Sequence, residues 1–186
     1  MNYGLRKDRR GLSEVVSVLI LLVVAVLLTA VVSYYATNVT RTRTNVEEVR
    51  FSRERIWVNE TGAVAAFKIH NIGGRDILIG GIRVRGVEID WDNVYYYRVP
   101  LGTTVAGEMN RTSYDDLTGS SVTISGLVYN QSYTEIPLIS SGVILFYVKG
   151  PGNIQLSDVG TTVDLSIYTN NALYFTECNV ESASDQ

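Results

Sequence analysis

Cysteine and histidine are almost absent: the 186 residues hold one of each, Cys178 and His70. A lone cysteine excludes an internal disulfide framework and any cysteine-rich zinc site. A lone histidine removes zinc sites and acid–base schemes that need several imidazoles. Proline is scarce, and neither proline nor glycine occurs between Gly11 and Gly62. A basic excess is also missing. The net charge of −3 argues against nucleic acid as a partner, because neutralising phosphates needs a positive surface. No internal repeat and no low-complexity linker marks a second globular domain. What remains is the composition of a folded chain, 46% hydrophobic and 19% charged, of a length that suits one domain with an appendage.

The appendage is at the N-terminus. Residues 1–11 read MNYGLRKDRRG, with Arg6, Lys7, Arg9 and Arg10 against Asp8. After Glu14, the 26 residues from Val15 to Thr40 carry no charge. As a helix they extend roughly 39 Å at 1.5 Å per residue, more than the roughly 30 Å of a bilayer's hydrocarbon core. The basic flank predicts a cytoplasmic N-terminus, with the rest translocated. A secretory signal has a shorter apolar stretch, followed by its cleavage site. Here the candidate site, Gly11 before Leu12-Ser13, precedes the stretch. A cut there removes the basic anchor and leaves the hydrophobic helix on the mature chain. Tyr35, Val39, Thr42, Val46 and Val49 continue at spacings of four and three, which predicts one helical stripe running on through residue 49.

Arg9-Arg10-Gly11, then Leu12-Ser13-Glu14-Val15-Val16 and the apolar run, resembles the class III signal peptide of archaeal type IV pilins. The resemblance implies cleavage between Gly11 and Leu12 by a prepilin peptidase, a membrane aspartic protease. It also implies a homo-oligomeric helical filament with a core of N-terminal helices, raised from the membrane by an assembly ATPase and a platform protein. In bacterial type IV pilins an acidic residue is fifth in the mature chain, whereas Glu14 is third here, so no role carries over to it.

From about Arg53 the period changes to two. Phe67 and Ile69 alternate with Lys68 and His70, Ile82 and Val84 with Arg83 and Arg85, and Val163, Leu165 and Ile167 with Asp164 and Ser166. Such alternation predicts half-buried antiparallel strands. Turns are expected at Asn59–Gly62, Asn71–Gly74, Gly80-Gly81, Arg85-Gly86, Pro151–Asn153 and Asp158–Gly160. Together they suggest a β-sandwich or small barrel of about seven to nine strands. Val143 to Val148 is apolar on both faces and reads as a central strand or one facing another subunit. Phe67–Gly73, Ile82–Gly86 and Val163–Tyr174 resemble strands of archaeal pilin and archaellin heads. The expected fold is therefore α+β, with a signal peptide at 1–11, a hydrophobic helix at 12–52 and an antiparallel β-sandwich head at 53–186.

Candidate chemistry is sparse. Val87, Ile89 and Trp91 alternate with Glu88, Asp90 and Asp92, three carboxylates that would share a strand face and could gather calcium. A solvated face, with Arg83 opposite Glu88, is the preferred reading. His70 has no nucleophile motif beside it, and the paired glycines precede no helix as a phosphate loop requires. No catalytic residue, cofactor or metal site is expected. Cys178 reads as a small buried hydrophobe, with an intermolecular disulfide as the alternative. Tyr95-Tyr96-Tyr97 suggests a half-buried edge strand or a subunit contact. Asn-X-Ser/Thr occurs at Asn38, Asn59, Asn110 and Asn130. The last three fall in expected turns and are the candidate glycosylation sites; Asn38 falls on the helix and is disfavoured.

The sequence thus points to a structural subunit of an archaeal type IV-like adhesive pilus. It would be inserted in the cytoplasmic membrane before assembly and displayed on the cell surface after it. An archaellin is the nearest rival, although the Gly-rich early helix expected of archaellins is missing. A monomeric membrane-anchored binding domain is the rival of another class.

Overall fold

The computed structural model describes residues 5–44 and 46–183, with side chains described for 11–42 and 46–183. The chain divides into two units between Thr44 and Asn45. Residues 1–4 and the side chains of Arg6, Lys7, Arg9 and Arg10, which belong to the expected signal peptide, lie outside the described residues. So do residues 184–186 of the expected head.

The first unit is one helix, α1 (Leu5–Thr44). Its apolar residues occupy every side rather than one stripe, and every described side chain from Gly11 to Thr42 is exposed. A helix apolar all round belongs in a large core or a membrane.

The second unit is a β-domain with eleven strands: β1 (Val49–Val58), β2 (Ala63–Asn71), β3 (Ile77–Val84), β4 (Val87–Glu88), β5 (Val94–Val99), β6 (Ser121–Ile124), β7 (Leu127–Gln131), β8 (Ile136–Leu138), β9 (Val143–Lys149), β10 (Thr162–Thr169) and β11 (Leu173–Ser182). They hydrogen-bond in the order β4-β3-β10-β11-β1-β2-β9-β5-β7-β6, with β8 against β3. Neighbours are antiparallel except β1 and β11, which run parallel where Ile56–Val58 meet Val180–Ser182. The count exceeds the expected seven to nine because β4 and β8, two and three residues long, are too short to show a period.

One core joins Ile56, Phe67, Ile69, Ile144 and Phe146 from one half of the strand order to Ile79, Ile82, Leu165, Ile167 and Val180 from the other. The sheet therefore folds over on itself. A second core lies on the opposite face of β2, β9 and β5, where Ala66, Leu145, Tyr147 and Tyr95 meet Met109, Leu117, Ile124 and Tyr129. Strand β9 separates the two, with Ile144, Phe146 and Val148 in the first core and Leu145 and Tyr147 in the second. That explains why Val143–Val148 is apolar on both faces: it is a central strand.

Four expectations need correction. The helix does not reach residue 52. The backbone carbonyl of Val46 accepts the N–H of Gly74, that of Glu48 accepts the N–H groups of Ile72 and Gly73, and Val49 begins β1 opposite Asn71. The Asn71–Gly74 turn supplies partners that a continuing helix would have to forgo, so pairing between distant segments overrides the local helical period. Gly80 and Gly81 form no turn but lie inside β3, and the Tyr168 ring occupies the space a Cβ on Gly81 would fill. Glu88, Asp90 and Asp92 share no strand face, because β4 ends at Glu88 and a 3-10 turn covers Trp91–Asn93. Tyr95–Tyr97 is not an edge, since β5 pairs with β9 and β7, and the two cores take alternate rings.

Candidate assembly helix and surface sites

Within α1 the segment Gly11–Thr42, 32 residues, is long and apolar enough to cross a membrane. Five of its hydroxyls are satisfied by the helix itself. The hydroxyls of Ser17, Thr29, Thr37, Thr40 and Thr42 donate to the carbonyls of Ser13, Ala25, Ser33, Ala36 and Asn38, at 2.8–2.9 Å. Hydroxyls bonded in this way need no water, which lowers the cost of carrying them into lipid or a dry bundle. Ala25, Thr29, Ser33 and Thr37 recur every four residues, and such small side chains allow close helix–helix approach.

Gly11 lies inside α1, and a Cβ placed there would meet nothing within 4 Å. Neither space nor backbone conformation requires glycine. Glycine also weakens a helix by about 1 kcal/mol relative to alanine. The peptide between Gly11 and Leu12 therefore lies at a locally weakened point of the helix. Opening into an extended form is what a peptidase needs. Glu14 is exposed three residues on.

The sequons occupy different settings. At Asn59, between β1 and β2, Oδ1 accepts the Thr61 N–H and hydroxyl and the Gly62 N–H, while the residue stays half-buried. Asn110 is exposed on the long connection before β6, and its amide donates to the Ser125 hydroxyl. Asn130 is exposed but is not in a turn; it sits in β7 opposite Ser121 and Tyr96. Asn38 is exposed on α1.

The remaining candidates take ordinary structural places. Arg83 stands opposite Glu88 in register, and their side chains meet at 3.2 Å. Tyr168 also donates to Glu88, and these two hydrogen bonds hold its carboxyl below the usual range. His70 is half-buried in β2 beside Val143. Cys178 is 7% exposed, and burial pushes its thiol up to about 11. Such a thiol is a poor nucleophile and a poor disulfide partner. Among the described residues no group of three or more His, Cys, Asp or Glu side chains could hold a metal ion. Sequence reasoning missed Arg53 and the Thr103–Asn110 segment, which form a cavity with the second core; the local sequence Ser52-Arg53-Glu54 carries no glycine or asparagine to signal the bulge there.

No known family model matches the chain, and no curated protein matches it significantly.

Proposed function

We propose that the chain is the structural subunit of an archaeal type IV-like adhesive pilus. The observation that carries this reading is the conjunction at Gly11. A glycine the helix does not need follows two arginines and opens a 32-residue apolar rod whose Ser17 and Thr29 hydroxyls bond within the helix. In this reading the rod first anchors the precursor in the cytoplasmic membrane, with the basic residues inside. A prepilin peptidase then cuts between Gly11 and Leu12. With the anchor gone, an assembly ATPase and platform protein lift the rod from lipid into a bundle of identical rods. Apolar surface leaves acyl chains only to be covered by neighbours, so packing decides the exchange, and the small residues at every fourth position favour it. The β-domain has two cores of its own and needs no helix to complete them, which suits a head carried on the outside.

Electron microscopy and N-terminal sequencing of the native protein test the reading together. The expected result is filaments whose subunits begin at Leu12, with the formal charge changed from −3 to −6 by loss of four basic residues and one acid. Monomers that begin at Met1 would instead establish a membrane-anchored domain.

A further inference from the structure

Strand β1 carries a bulge. Ser52 pairs with Lys68 and Arg55 with Ala66, so Arg53 and Glu54 together face one residue of β2. Arg53 adopts φ +62°, a left-handed conformation that is unusual for a residue with a long side chain. Such a bulge bends its strand and sharpens the local twist. Beyond it, β1 runs in register with β11 at Ile56–Val58 and Val180–Ser182. Before it the two strands part. A cleft of about 380 Å³ opens between them, with Arg50 and Phe51 on one lip and Leu173 and Phe175 on the other.

A strand side without a neighbour is a template for another chain, and proteins commonly cover it or charge it. The β11 lip is apolar instead. Leu173 is 60% and Phe175 72% exposed, two residues apart on one side of the strand. No other large apolar side chain on the described strands is as exposed. An aromatic ring standing beside a hollow has the character of an interface anchor next to its pocket.

The charges sort to opposite lips. Arg50 is exposed on the β1 lip. On the β11 side, Glu177 follows Phe175 by two residues and stands in register with Asp164, both exposed. Like charges directly opposite destabilise a strand pair. Elsewhere in the β-domain acids and bases meet within the chain: Arg83 with Glu88, Arg85 with Asp158, and Arg55 with Glu181 and Glu108. Among the described residues Arg50, Asp164 and Glu177 have no such partner, and Glu48, on the same lip as Arg50, does not reach it.

We infer that the β1–β11 cleft is a two-fold docking face for a second copy of this chain. A two-fold axis along the cleft lays the β1 lip of each copy over the β11 lip of the other. Arg50 of each copy then meets the Asp164–Glu177 pair of the other, and the Phe175 rings cover the clefts. An acidic partner would answer Arg50 and leave the carboxylates unpaired; a basic partner would do the reverse. A second copy answers both. The face lies wholly within the β-domain and does not depend on the filament reading. In a polar filament, whose subunits repeat head to tail, it would meet a subunit of a second filament.

Sedimentation equilibrium of the full chain in detergent tests this. The expected result is a monomer–dimer equilibrium that weakens as salt is added. Arg50→Glu and Glu177→Arg should each weaken the dimer by at least about tenfold. Both substitutions in one chain should restore it, because each new charge again meets its opposite across the axis. An equal mixture of the two single variants should restore it as well, which keeps the test open if the double variant fails to fold. Phe175→Ser should weaken the dimer at every salt concentration. Association through α1 would be blind to all of these changes. A chain that stays monomeric, salt-sensitive association that continues past the dimer, single variants that associate like the wild type, or no restoration in the mixture would each overturn the inference.

Discussion

A Cβ added to Gly73 would lie 2.5 Å from the Val46 carbonyl oxygen and 2.7 Å from the Glu48 nitrogen. Both are backbone atoms and neither can swing aside. Gly73→Ala should therefore cost about 1–3 kcal/mol in the β-domain, read as a lower denaturation midpoint at constant slope. Gly11→Ala, with open space around its Cβ, should leave that midpoint unchanged. Cys178 gives a second test. Its folded-state thiol, raised to about 11 by burial, remains protonated where a free cysteine begins to ionise. Aromatic disulfide reagents at about pH 8 should label it only in denaturant. Because the folded value lies above the unfolded one, the linked stability is complete below about pH 8.5 and falls as pH rises through about 11. Labelling of the native protein at the denatured rate would contradict the burial.

At the scale of elements, the join between helix and strand decides what can be cut. A chain beginning at Asn45 keeps all of β1, the carbonyls of Val46 and Glu48 that receive the Asn71–Gly74 turn, and Glu47, whose carboxylate accepts from Thr169 and Asn171. A chain beginning at Arg53 loses the pairs Val49–Asn71 through Ser52–Lys68 and uncovers one side of β2. The first should show cooperative thermal unfolding. The second should unfold at a clearly lower temperature, or without a transition, by circular dichroism. The same join explains what was legible beforehand. Alternation exposed β2 and β10, and glycine and asparagine exposed the turns beside them, because each signal is local. Val46 and Val49 match a helical stripe equally well, and only pairing with Asn71–Gly74, more than twenty residues away, converts them to an extended segment. Gly80-Gly81 reads as a turn until the Tyr168 ring covers it from another strand. Of the sites, Gly11-Leu12 and the four sequons were visible as motifs. Arg53 was not, since its left-handed backbone is set by the mismatch between β1 and β2 and by no residue of the bulge itself.

For the whole molecule, the sequons separate a filament from a free anchored chain. Every one of the four asparagines has some exposure in the single chain, so accessibility within one subunit does not rank them. Assembly does. Asn59 and Asn110 lie on connections outside the strands, where a glycan leaves the surface without disturbing a ladder. Asn130 points outward from β7, but its backbone is paired with β5 and β6; transfer there must precede pairing. Asn38 lies on α1, 26 residues after Leu12, where a bundle of rods would enclose it. A glycan at that position would be desolvated between neighbours without partners for its hydroxyls. Glycopeptide mass spectrometry on filaments should therefore find Asn59 and Asn110 occupied, Asn130 occupied when transfer occurs during translocation, and Asn38 bare. The comparison that isolates the cause is unassembled precursor, held uncut by replacing Gly11 with a bulky residue. There a glycan-transferring enzyme would meet Asn38 outside any bundle. Occupied Asn38 in precursor but not in filaments means that glycosylated chains are excluded on packing; full occupancy of Asn38 in filaments means that this stretch of α1 faces solvent and the bundle ends before it.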